Sequence, residues 1–267
     1  MWLQGFKNAP HVVQQCLSSW QTHNDSWKIV LLEEDNINEY IDVRNIIGKN
    51  IEYISKQALS DIIRINLLKK YGGVWVDATC FCCKPLDNWL HRYTDNGFFA
   101  FDRPGIDRPI SSWFLASSEN SILTQVYCDE VNRYWSENCF SNQNNKFGEF
   151  IDTYLQKRIK QTDHETFQFR TLFNAIKFSK VYPYFWFHYI FSIIIANNSL
   201  CGEKWRSATK LSADIPHALQ DIGLFKPISD DIKKQIDQDE APLYKLTWKY
   251  NENQYTDDCV LKYLLEQ

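Results

Sequence analysis

Several things are scarce or missing in this 267-residue chain. No lysine–arginine tract dominates any region and the formal net charge is -4, which argues against a nucleic-acid partner. No apolar run reaches the roughly 20 residues that span a bilayer. The longest, Tyr182 to Ala196, has 15 residues and carries His188 in its middle. With 9 glycines and 8 prolines, no internal repeat and no low-complexity linker, nothing marks a firm domain boundary. The 8 cysteines (16, 80, 82, 83, 128, 139, 201 and 259) follow no small-secreted-domain framework, and no signal-peptide pattern opens the chain. Cys80, Cys82 and Cys83, with His91 nearby, form C-x-C-C rather than the usual C-x₂-C zinc knuckle, and no second pair follows. Reduced, mostly buried thiols are expected, in a cytoplasmic location.

What is present suits an enzyme with a full core. Hydrophobic residues make up 44% of the chain and aromatics 15%, with 10 tryptophans, which fill cores and also serve as platforms for sugar rings. The most informative stretch is S-D-I-I-R-I-N-L-L-K-K-Y-G-G-V-W-V-D-A-T, Ser60 to Thr79. Residues 58 to 71 read as a helix that is apolar nearly all round, capped by Ser55, with Lys69 and Lys70 at its C-terminal dipole and Gly72 ready for a left-handed turn. Asp61 and Arg64, one turn apart, are then charges in a place where charges need partners, either a bound ligand or each other as an i,i+3 ion pair. Alternation after the glycines puts Trp75, Asp77 and Thr79 on one strand face, with Asp77 where the strand runs out.

The segment resembles the D-x-x-R … Y-G-G-[IV]-[YW]-x-D-x-[DT] core of GT-A glycosyltransferases related to glycosyltransferase family 32. It is most similar to the capsular polysaccharide synthesis protein branch. W-L-Q-G-F-K-N-A-P from Trp2, F-L-A-S from Phe114 and K-L-T-W-K from Lys245 resemble that branch too, in the same order. The resemblance implies an α/β fold, a GT-A type Rossmann-like nucleotide-sugar-binding sheet with a helical C-terminal part. It implies one domain over 1–267, with a donor-binding core at 1–116 and a mostly helical acceptor or closing part at 117–267. The implied activity is transfer of a hexose from a nucleotide-diphosphate sugar, of UDP type, to a growing capsular or surface polysaccharide or a lipid-linked oligosaccharide, with retention of configuration. In that reading Asp61 and Arg64 hold donor hydroxyls and phosphate, Trp75 stacks on the donor, and Asp77 meets ribose and metal. Trp2, Gln4 and Gly5 lie beside the nucleotide, or form an ordinary strand end.

Other elements follow from pattern. Met1–Gly5 reads as the tail of a first strand, preceded in the resemblance by further chain; a helix runs from Pro10 through Trp20, and Lys28–Leu32 is a second strand. Strands are expected at Phe98–Phe101 and Trp113–Ala116 with a Pro/Gly loop, 103–109, between them. Helices are expected at 119–135 and 147–160, a surface loop at 142–145, and a strand at Lys245–Tyr250. Tyr182–Ala196 is a buried helix or, on a sharper reading, an interfacial segment giving peripheral contact with the inner face of a membrane.

One departure affects the chemistry. Where the second acid of a D-x-D pair binds Mn²⁺ or Mg²⁺, this chain has Thr79, a neutral oxygen able to hold a metal only through water. Negative charge growing on the departing diphosphate must still be neutralised. Asp77 with His217 or water binds a metal; or cations such as Arg64 and lysines, Lys245 and Lys249 among them, replace it; or the site is inactive. The first is favoured because the rest of the donor grip is intact. A catalytically inactive sugar-nucleotide-binding scaffold and a structural zinc protein are the competing readings.

Overall fold

The computed structural model describes residues 1–140, 153, 180–238, 241–250 and 252–267. Among these, the helices are α1 (His11–His23), α2 (Ile37–Tyr40), α3 (Val43–Ile47), α4 (Lys56–Tyr71), α5 (Ile122–Glu137), α6 (Trp186–Asn197), α7 (Ser199–Ser207), α8 (Asp214–Ile222), α9 (Asp230–Asp237) and α10 (Val260–Leu265). The strands are β1 (Gly73–Val76), β2 (Cys80–Cys82), β3 (Phe98–Gly105), β4 (Arg108–Ser117) and β5 (Leu243–Lys245). They form two small sheets, ordered β1-β4-β3 and β2-β5, so the class is mixed α/β. The expected opening of a nucleotide-binding sheet is corrected here. Met1–Gly5 and Lys28–Leu32 are irregular, joined by a hydrogen bond from the Trp2 N–H to the Leu32 carbonyl (2.9 Å). Ile29 and Val30 are exposed, so period-two burial never sets in there.

The chain divides into two compact units, one of Met1–Asn36, Val76–Arg92 and Ala213–Gln267, the other of Ile37–Trp75 and Tyr93–Ser212. Residues 116/117, where a donor-binding core was expected to meet a helical part, lie at the end of β4, inside the second unit. In the first unit, Val12, Val13 and Cys16 on α1 meet Leu219, Tyr244 and the apolar face of α10 in one core. The Trp20 indole donates to the Cys80 carbonyl (2.8 Å), and the Cys82 N–H donates to the Ser19 hydroxyl (2.9 Å), fixing α1 on β2. β2 and β5 run antiparallel, with Cys80 opposite Lys245 and Cys82 opposite Leu243. The strand expected at Lys245–Tyr250 therefore ends at Lys245, because only Leu243–Lys245 have a partner strand.

In the second unit, α4 forms as its sequence dictates. The Ser55 hydroxyl accepts the Ala58 N–H (3.2 Å), and Gly72, at φ +64°, ends the helix with its N–H on the Leu68 carbonyl (2.9 Å). The 103–109 segment is not a loop. β3 and β4 continue through it to a two-residue turn at Ile106–Asp107, and register shifts between Ala100 and Gly105 absorb the proline and the misfit. α5 starts at Ile122, three residues later than expected, because Ser121 caps it. α6 covers most of the Tyr182–Ala196 run and buries Trp186 through Ser192 and Ile194. Its apolar surface is spent inside the protein, and no helix among the described residues is long and apolar enough to cross a membrane. The expected helix at 147–160 and loop at 142–145 lie outside the described residues, apart from residue 153.

None of the eight cysteines is in a disulfide; Cys139 is exposed, Cys83 half-buried and the others buried. Burial pushes the Cys82 and Cys128 thiols up to about 12.

Candidate functional site

The residues singled out from the sequence fall into two constellations, one in each unit. In the second unit, α4 carries Asp61 and Arg64 into the interior, where they are 8% and 4% exposed. Arg64 Nη1 lies 3.2 Å from Asp61 Oδ1. The same guanidinium donates to the Ser112 carbonyl on β4, to the Ser60 carbonyl (3.3 Å) and to the Ser60 hydroxyl (2.8 Å). It also sits over the Trp75 ring, 5.1 Å from the centroid. Trp75 is 6% exposed and so presents a packed ring rather than an open platform. Arg64 is thus committed to holding α4, β4 and Trp75 in register, and its hydrogen bonds are those of a buried strut. An open groove in this unit lies elsewhere, lined by Tyr40, Asn66, Lys69 and Lys70 among others, and includes none of these residues.

The first unit holds Asp77, Thr79, His217 and Lys245. β1 ends at Val76, so Asp77 is the first residue past the strand and is half-buried. Thr79 is not on the strand as expected. Asp77 to Cys80 form a turn closed by the Cys80 N–H on the Asp77 carbonyl (3.0 Å), which turns Thr79 inward to 6% exposure. There the Thr79 hydroxyl accepts a hydrogen bond from the Lys245 ammonium, which also donates to the Leu246 carbonyl (3.3 Å). The Leu246 N–H in turn donates to the Thr79 carbonyl (2.8 Å), and the Gln220 amide to the Lys245 carbonyl (2.8 Å). Lys245 was visible in the sequence as one lysine among several; its contact with Thr79, across 166 residues of chain, was not.

His217, on α8, has Nδ1 2.8 Å from the Ala213 carbonyl. A carbonyl only accepts, so Nδ1 carries the proton and Nε2 the lone pair. Burial holds its pKa below the usual value; Lys245 pushes the same way.

These groups make a poor site for a divalent cation. Mn²⁺ and Mg²⁺ take several oxygen ligands, preferably anionic. Asp77 brings one carboxylate, and Thr79 a neutral oxygen that already accepts from an ammonium. A dication on that oxygen would stand roughly 4 Å from Lys245 Nζ, a repulsion of about 8 kcal/mol at an effective dielectric constant near 20. Among the described residues, no group of three or more His, Cys, Asp or Glu side chains converges as a metal site, at Cys80–Cys83 or elsewhere.

Trp2, Gln4 and Gly5 belong to the same unit. Gly5 has φ +85°, Gln4 is exposed, and the Phe6 N–H donates to Glu33 Oε1 (2.6 Å). The Trp2 ring stands edge-on to Trp248, with centroids 5.4 Å apart. Trp248, three residues beyond Lys245, is 41% exposed and is the aromatic surface that sequence reasoning passed over. The K-L-T-W-K motif was the signal that held it.

Over 145 residues the chain is 24% identical to the O-glycosyltransferase braB of Annulohypoxylon truncatum, a match that takes in 46% of this chain. It covers 34% of that relative, so the chain spans about a third of its length. No solved structure matches. The family described as capsular polysaccharide synthesis protein matches residues 1–174 and 175–264, and the chain belongs to that glycosyltransferase-like family.

Proposed function

We propose that the chain is a nucleotide-sugar-dependent hexosyltransferase, moving a sugar from a UDP-type donor to a saccharide or lipid-linked saccharide of a capsular or surface polysaccharide. The observation that carries this reading is Asp77 at the end of β1, in the same unit as a lysine ammonium on Thr79 and the exposed ring of Trp248. A carboxylate accepts from ribose hydroxyls, a cation meets phosphate and an indole face receives a base. In the transfer, the bond from the anomeric carbon to the diphosphate oxygen breaks and its electron pair stays with the diphosphate. An acceptor hydroxyl oxygen bonds that carbon and gives its proton to the departing diphosphate or to water, with retention of configuration. Asp61, Arg64 and Trp75 are read as positioning residues, because the Arg64 guanidinium already meets the Asp61 carboxylate, the Ser112 carbonyl and the Trp75 ring.

Thr79 favours a second reading, a sugar-nucleotide-binding scaffold without turnover. Nucleotide release from a panel of UDP- and GDP-sugars, with and without acceptor oligosaccharide, separates the two. Release that depends on the identity of the sugar supports the enzyme; binding without release, acceptor present, supports the scaffold.

A further inference from the structure

We propose that Lys245 supplies the positive charge that the departing diphosphate needs, in the place where a divalent cation would otherwise act, so that donor cleavage is independent of metal. The inference rests on the nucleotide-sugar reading above and adds to it the group that bears the leaving-group charge.

Lys245 is held from several sides. Its residue pairs with Cys80 across β2 and β5, its carbonyl accepts from Gln220, and the next N–H is bound to the Thr79 carbonyl. The ammonium is therefore presented from a clamped backbone, as a preorganised charge should be. It has three donors, of which Thr79 Oγ1 and the Leu246 carbonyl take two. Both partners are neutral. Among the described residues no carboxylate lies within ion-pair distance of this half-buried cation. A charge so placed calls for an anion, and a phosphate oxygen suits the third donor. Two other cations singled out from the sequence are differently occupied: Arg64 is built into α4 and β4, and the Lys249 ammonium lies 5.7 Å from the Trp248 ring centroid on an exposed stretch. Threonine in place of the second acid is then a fitting partner, since its hydroxyl orients the ammonium without cancelling its charge. When the anomeric C–O bond breaks, the electron pair left on the diphosphate oxygen is stabilised by this ammonium, which keeps its proton.

Titration calorimetry of UDP and GDP into wild type, in EDTA and in Mn²⁺, tests this alongside nucleotide release from the donor panel. The expected result is binding and release that survive EDTA. Lys245→Met should lower the release rate by roughly 100- to 1,000-fold, as for loss of one preorganised donor, with Lys245→Arg recovering part of it. Thr79→Val, which keeps the ammonium and the side-chain shape, should lose far less and remain insensitive to EDTA. If Lys245→Met fails to fold, the EDTA arm on wild type and the Thr79→Val variant still decide. Turnover that requires Mn²⁺ and is indifferent to Lys245→Met would overturn the inference and leave the glycosyltransferase reading standing. A folded wild type that binds neither UDP nor GDP in either buffer would overturn both.

Discussion

Replacing Arg64 by methionine should destabilise the protein far more than the surface value of an i,i+3 ion pair. Exposed pairs of that kind contribute about 0.2–0.5 kcal/mol. Arg64 is 4% exposed, and its guanidinium serves Asp61, Ser60 and the Ser112 carbonyl while lying over Trp75. Methionine restores much of the volume but leaves the Asp61 carboxyl, whose side chain is 11% exposed, without its cation. Breaking a buried pair from one side costs about 3–5 kcal/mol. At about 2–4 °C per kcal/mol, that lowers Tm by roughly 6–20 °C. Asp61→Asn is the milder change, because the guanidinium keeps its other acceptors; about 1–3 kcal/mol is expected. Differential scanning calorimetry of both variants, with donor KM measured well below their Tm, checks the pair. The positioning role predicts large losses of Tm with donor KM within a few-fold of wild type. An unchanged Tm for Arg64→Met, together with a donor KM raised tenfold or more, would refute it and return Arg64 to direct donor contact.

Further outcomes follow from the same packing. His188 is buried on α6, and desolvation first, then Arg108 and Arg64, hold its pKa well below the usual 6.5. The unfolded chain therefore binds its proton first, so this residue lowers stability as pH falls below about 6.5. His188→Gln should lose less stability between pH 7.5 and 5.5 than wild type in urea titrations; an equal loss contradicts the assignment. Gly72→Ala should cost more than about 1 kcal/mol, since φ is +64° and a Cβ would meet the Glu119 N at 3.0 Å. A neutral result in the same titration would mean that the turn relaxes. With a thiol reagent at pH 8, Cys139 should react in the native protein while Cys82 and Cys128, both pushed up to about 12, react only on unfolding. Peptide mapping of the label that found Cys82 modified early would show that its burial is not kept in solution.

Local signals were the legible ones. Helix α4 was readable because its apolar spacing, its Ser55 cap and Gly72 agree with one another, and Asp77 at the strand end followed from the alternation after the glycines. The 103–109 segment misled because Pro104, Gly105 and Pro109 signal a loop locally, whereas the hairpin pairing of β3 with β4 and a contact from α6 decide the outcome. Asp107, at the turn, is held by the Tyr189 hydroxyl (3.0 Å) and by Arg108, and neither proline interrupts the hairpin. The Lys245–Tyr250 strand was misplaced for a related reason: its apolar pattern extends past the three residues that have a partner strand. Asp61 and Arg64, one turn apart on α4, were legible as an i,i+3 ion pair; their burial and the contact of Arg64 with the Ser112 carbonyl are tertiary facts. So is the contact of Lys245 with Thr79, which decides how the missing acid is read.

Asp77 is proposed as part of the donor site of a working glycosyltransferase. The most direct test is the rate of nucleotide release for wild type and Asp77→Asn, with the donor that the panel identifies and with thermal unfolding of both proteins as control. A hydrogen bond to a charged group contributes about 1.5–3 kcal/mol. Release should slow roughly 10- to 150-fold in Asp77→Asn at unchanged Tm. Release at the wild-type rate from Asp77→Asn would contradict it.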